Sequence, residues 1–204
     1  MVLSVEEIQQ RRTPSELLAF VESVWERAKT DAELRTAGHL RNGYLKEFFD
    51  EVVPLSKFAA ARYPSDYSVC PVIGNQGYDA EIYDERGHLF ERVEIANPVD
   101  GYAIAKAGRD LAEHGIGGFR VGDPGDDLED LISIIERTAL KKSIKDYSDS
   151  TVVFNVSAIP AFEGFESRYE EQLERIRRAL ASTEFCAKCV YVMFPAGRLE
   201  RIDA

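Results

Sequence analysis

Two carboxylates decide how the stretch YDAEIYDERGHLFERVEIANP, Tyr78 to Pro98, is to be read: Asp79 near its start and Glu94 near its end. Such oxygens, with a backbone carbonyl and waters, are ordinary ligands for a divalent cation. The stretch reads as a hairpin whose side chains alternate between faces, so Asp79, Glu81 and Tyr83 share one face of the first arm. In the second arm Phe90, Arg92, Glu94 and Ala96 share a face, opposite to Val93 and Ile95. A two-residue turn at Arg86-Gly87, or a four-residue loop from Glu85 to His88, sets Asp79 directly opposite Glu94. A three-residue turn with a bulge shifts that register.

Opposed carboxylates repel across a strand pair, so something must compensate. One answer is a salt-bridge ladder using Arg92, with Glu81 reaching solvent. The other is a divalent cation on Asp79, Glu94 and a backbone carbonyl. Glu81, Asp84, Glu85 and Glu91 read as water-facing charge.

These residues need elements to hold them. Thr13, Pro14 and Glu16 form a capping-box start for a helix whose apolar stripe is Leu17, Leu18, Val21, Val24, Trp25 and Ala28. A second helix follows Asn42-Gly43 with Leu45, Phe48, Phe49 and Val52 inward, and Pro54 kinks or ends it before Lys57 to Arg62. Glu47 and Glu51 fall opposite that stripe and read as a solvated face. Val69 to Ile73, Tyr78 to Asp84 and Leu89 to Ala96 make an antiparallel meander. A helix over Tyr102 to His114 leads through Gly115, Gly117 and Gly118 to a short strand near Phe119 to Val121. A long helix opening at Asp123-Pro124 runs to about Tyr147, and Thr151 to Ser157 is a buried strand. A helix carrying Phe165, Tyr169, Leu173, Ile176 and Leu180 precedes a strand from Phe185 to Phe194 and a hairpin into Arg198 to Ile202. The expected fold is α/β, one domain over residues 1–204, with a mixed central sheet containing the meander and flanked by helices.

A helix, a meander with Asp in its second strand and Glu in its third, then a helix and a further strand, resembles the core of the PD-(D/E)XK, restriction-endonuclease-like superfamily. The resemblance covers residues 43–157, leaving 1–42 as a helical extension and 158–204 as an additional helix and strands. It rests on Asp79 in GYDAEIYD and Glu94 in RVEIANP. It implies that Asp79, Glu94 and the carbonyl of Ile95 hold Mg²⁺ or Mn²⁺, and that nucleic acid is the substrate. The lysine such proteins carry two residues after the Glu is Ala96 here, and their nominal proline is Tyr78. Some members place the lysine on the following helix, and Lys142 lies on the apolar stripe of Leu128, Leu131, Ile132, Ile135 and Ala139. A lysine there either pairs with Asp79 and Glu94 or snorkels to the helix end.

Other chemistry is thinly represented. Cys186-Ala-Lys-Cys189 has metal-like spacing but only Cys70 as a further thiol, so reduced structural cysteines are expected. His39, His88 and His114 show no ligand spacing. With 25 Lys and Arg against 36 Asp and Glu, the net charge is −11, which opposes broad phosphate contact. The N-terminus lacks a signal-peptide layout and no apolar run reaches a bilayer's span, so a cytoplasmic chain without membrane contact is expected. Two functions follow: a Mg²⁺-dependent nucleic-acid phosphodiesterase using Asp79, Glu94 and Lys142, or a catalytically inactive module binding a protein partner or a second copy of itself.

Overall fold

The computed structural model describes residues 3–115, 124–156 and 166–202. The chain is mixed α/β, and its six strands belong to an open mixed sheet accompanied by helices. It forms two compact units, Met1–Ile95 with Gly101–Gly118, and Ala96–Asp100 with Phe119–Ala204. Among the described residues no helix is long and apolar enough to cross a membrane.

The first unit begins with α1 (Val5–Ile8) and α2 (Pro14–Thr30). The expected capping box starts α2: Thr13 Oγ1 accepts the Glu16 N–H at 3.3 Å and Glu16 Oε2 accepts the Thr13 N–H at 2.9 Å. Thr13→Ala should therefore cost about 1 kcal/mol of stability, measured by urea unfolding. Leu17, Val21 and Val24 are buried as the periodicity predicts. Trp25 is not: it remains 46% exposed, packed at a tilt against Phe49 at 5.2 Å between ring centroids.

After α3 (Ala32–Leu40), one long helical passage carries α4 (Tyr44–Glu47), a π-helical turn (Phe48–Val52) and α5 (Val53–Arg62). The wide turn answers to Pro54, which has no N–H for an α-helical bond and whose ring crowds the carbonyl four residues back. The Val53 N–H reaches the Phe48 carbonyl, five residues back, and the helix continues rather than breaking.

The meander is β1 (Ser68–Pro71), β2 (Ala80–Tyr83) and β3 (Leu89–Ala96), with both neighbouring pairs antiparallel. Arg12 also exchanges backbone bonds with Val69, at 3.0 and 2.7 Å, along the outer side of β1. Val69, Ala80, Ile82 and Val93 are fully buried. α6 (Gly101–His114) belongs to the same unit and packs on α3.

The second unit contains α7 (Pro124–Ser143), β4 (Tyr147–Asn155), α8 (Glu166–Ala181), β5 (Ala187–Met193) and β6 (Leu199–Ile202). β4 and β5 are parallel, with α8 as the crossover such a pair requires, and β6 returns antiparallel to β5. The stripe on α7 is confirmed, since Leu128, Ile132, Ile135 and Ala139 are buried with Phe154, Leu173 and Ile176 in one core. α7 stops at Ser143, earlier than expected. Asp146 accepts the Ser148 N–H to form a turn, and Tyr147 opens β4 with its N–H on the Cys186 carbonyl at 2.7 Å. The short strand expected near Phe119 to Val121, the Asp123 cap and the far end of the Thr151 to Ser157 strand lie outside the described residues.

Candidate functional site

The connection between β2 and β3 is neither of the expected turns. The Asp84 N–H bonds the His88 carbonyl, the Gly87 N–H bonds the Asp84 carbonyl, and Gly87 takes φ +80°, giving a three-residue loop of Glu85, Arg86 and Gly87. Such a loop displaces the register, yet a bulge restores it: Tyr83 faces Leu89 while Ile82 faces Glu91, so Phe90 is the extra residue. Beyond the bulge Glu81 faces Arg92 and Ala80 faces Val93, the register expected from the simpler turns.

Continuing that register by one pair brings Asp79 to Glu94, but the backbone ladder has ended. The Asp79 N–H goes to the Val93 carbonyl at 2.8 Å, and Asp79 Oδ2 accepts the Ile95 N–H at 2.6 Å. The Asp79 carboxylate thus takes the place of a strand carbonyl. It ties the entry of β2 to the segment bearing Glu94, whose side chain is buried.

The salt-bridge ladder sits one pair away. Arg92 Nε approaches Glu81 Oε1 at 3.5 Å, and its guanidinium lies 4.6 Å from the centre of the Tyr78 ring. Glu81 also accepts the hydroxyls of Tyr83 at 2.7 Å and Tyr78 at 3.2 Å. These donors, Tyr83 first, lower the carboxyl's affinity for a proton. Asp84 is a turn residue, accepting the N–H groups of Arg86 and His88. Glu91 departs from expectation: it is 5% exposed, because it lies on the Ile82 face, which alternation gives it in common with Val93 and Ile95, and there the Tyr63 hydroxyl donates to it at 3.0 Å.

The larger correction concerns the helical passage. Glu47 and Glu51, expected on a solvated face, are both partly buried. Glu47 Oε2 is buried without a hydrogen-bond partner. Burial, then the charges of Asp79, Glu47 and Glu94, push the Glu51 carboxyl up to about 8, against a smaller opposing pull from Lys46. Helix and hairpin therefore bring four carboxylates, Glu47, Glu51, Asp79 and Glu94, within electrostatic reach of one another. An α-helical wheel misplaces Glu51 because that residue lies within the π turn, whose extra residue rotates the chain by about 100°, whereas Glu47 precedes that turn. The signal was Pro54, whose demand on the preceding turn is local and readable.

These are hard oxygen donors, the kind Mg²⁺ and Mn²⁺ select, and an orphaned carboxylate oxygen among like charges is chemically suited to a cation. Their oxygens are not drawn together as a coordination shell: among the described residues no three His, Cys, Asp or Glu side chains form a group able to hold a metal ion.

Of the other predicted residues, Ala96 and Lys142 belong to the second unit. Ala96 is buried in its apolar core. Lys142 is half-buried, with its ammonium 5.8 Å from the centre of the Tyr147 ring, a cation–π contact. Cys70, Cys186 and Cys189 are free thiols, and Cys186 donates to Asp146 at 3.4 Å.

No protein-family model matches the chain, and neither a curated protein nor a solved structure is a significant match to it.

Proposed function

We propose that this protein is a divalent-cation-dependent phosphodiesterase acting on nucleic acid, of the restriction-endonuclease-like kind, with Asp79, Glu94 and the Ile95 carbonyl as cation ligands. The observation that carries the reading is that Asp79, Glu94 and Glu47 all act electrostatically on Glu51, with one partnerless carboxylate oxygen on Glu47. When bound, Mg²⁺ or Mn²⁺ would supply Lewis-acid activation of water and charge neutralisation at phosphorus. Asp79 orients the Ile95 segment through its bond to the backbone N–H, and Glu47 and Glu51 add negative charge from the helix. Lys142 has the role of orienting or activating the attacking water.

A second reading is an interaction module on the same scaffold, binding a protein partner or a second copy. It is favoured by Ala96, which leaves an apolar side chain in a packed core where the related motif carries lysine. The net charge of −11 points the same way, because duplex binding draws on Lys and Arg contacts to phosphate.

Isothermal titration with Mn²⁺ tests the site. Asp79→Asn and Glu94→Gln should each weaken binding by roughly tenfold, about 1.4 kcal/mol. Asn is the better substitute at position 79 because it retains an oxygen for the Ile95 N–H. Wild-type affinity in both variants rejects the cation site. Metal-dependent cleavage of single-stranded DNA, duplex DNA or RNA that is lost in Lys142→Ala supports the enzyme, whereas Mn²⁺ binding without cleavage of any of them supports the module.

A further inference from the structure

Residues of α2, α3, α6 and the π turn line a half-open cavity of about 280 Å³. Its walls are apolar, with Trp25 and Phe49 on one side and Ile104 and Leu111 of α6 on another. A cavity of about 150 Å³ lined by aliphatic and aromatic side chains already takes benzene, so this one has room for a longer or bicyclic body. The walls are held by close contacts. A Cβ on Gly108 of α6 would fall 2.2 Å from the His39 carbonyl oxygen, and one on Gly38 would fall 2.8 Å from the Phe49 ring, so bare glycine backbone sets how near α6 and the π turn come to α3.

The charge on those walls is of one sign. In a chain of net charge −11, the titratable side chains lining the cavity are Arg35, His39 and Arg41, with no acid among the described lining residues. Arg41 is engaged by Asp50. Arg35 is exposed at the rim of the cavity and donates to the neutral Lys29 carbonyl at 3.1 Å, so its guanidinium is accessible to an incoming anion.

We propose that this cavity binds a small amphipathic anion, with an apolar body against Trp25, Phe49 and Leu111 and a carboxylate on Arg35. The ligand class is a medium-chain or aromatic carboxylate. The site uses none of the carboxylates near Asp79, so it stands or falls independently of the phosphodiesterase reading.

Trp25 is the chain's one tryptophan and lies on the cavity wall, so its fluorescence reports occupancy directly. Titration with octanoate should give a saturable change in Trp25 emission at one equivalent per chain, and octanamide, of the same length without charge, should bind at least tenfold more weakly. Arg35→Gln should weaken octanoate at least tenfold while leaving octanamide unchanged, and Leu111→Trp, read by isothermal titration, should remove binding of both by filling the space. Thermal unfolding of each variant establishes that it is folded. A linear, unsaturated response to octanoate overturns the proposal, as does equal octanoate affinity in wild type and Arg35→Gln. Binding retained in folded Leu111→Trp places the ligand elsewhere and overturns it as well.

Discussion

Phe48→Ala is expected to lower stability by about 3–5 kcal/mol, the range for truncating a fully buried aromatic side chain. Phe48 has no exposed surface and opens the π turn, meeting Phe20 at 6.1 Å and Phe49 at 5.2 Å, both edge-on. Its removal leaves a void at the point where the helix changes pitch, and the turn that carries Glu51 loses its anchor. Urea unfolding measures the loss as a lower midpoint, and Phe48→Leu, which keeps most of the volume, should recover a large part of it. A loss under about 1 kcal/mol for the alanine variant would show that the turn is held by something other than this ring.

The second large effect is on pH dependence, and its sign follows from Glu51. A carboxyl whose folded-state value is raised binds its proton more tightly in the native protein, so it contributes stability that is complete below about 4.5 and is lost as pH rises through about 8. Solvent screening at this half-buried position brings the expected loss down to about 2 kcal/mol between those limits. Glu51→Gln removes the titrating group while keeping size and hydrogen-bonding capacity. The variant minus wild-type difference in unfolding free energy should therefore rise with pH between about 5 and 9. A difference that stays flat across that range would mean that Glu51 is an ordinary solvated glutamate. Lys46→Met should push the other way, steepening the wild-type fall by removing the one cation that opposes the shift.

What the sequence disclosed follows from which signals are local. The capping box at Thr13, the stripe on α7 and the arms of the hairpin come from spacing alone, because helical and strand periodicities fix faces over short distances. The hairpin register came through for a less direct reason: the loop has an odd length, and Phe90 cancels the displacement. Glu91 falls on the buried face of Val93 and Ile95 by simple alternation, and what spacing does not disclose is the Tyr63 hydroxyl that receives its carboxylate there. Glu51 lies inside a turn with one residue too many, which a helical wheel does not follow, while Glu47 precedes that turn and its partial burial is a tertiary effect. Trp25 fell on the correct stripe, but at its margin, where the neighbour is a cavity rather than a packed side chain. Only at Glu51 does the chain depart from ideal pitch, and at Trp25, Glu47 and Glu91 the difference is made by tertiary neighbours that spacing does not carry.

The bulge at Phe90 also separates the fates of the hairpin's two ends. Asp84 and Gly87 set the geometry of the tip through their own local bonds, and the Ala80 and Val93 pair sets the base near Asp79 and Glu94. Phe90 takes up the mismatch between them as a slip joint does. Changes of length at the tip can be absorbed at this one residue, leaving undisturbed which face Glu94 presents four residues further in. The acids are in this sense insulated from their own loop, which is free to vary in length and sequence while the base holds its register.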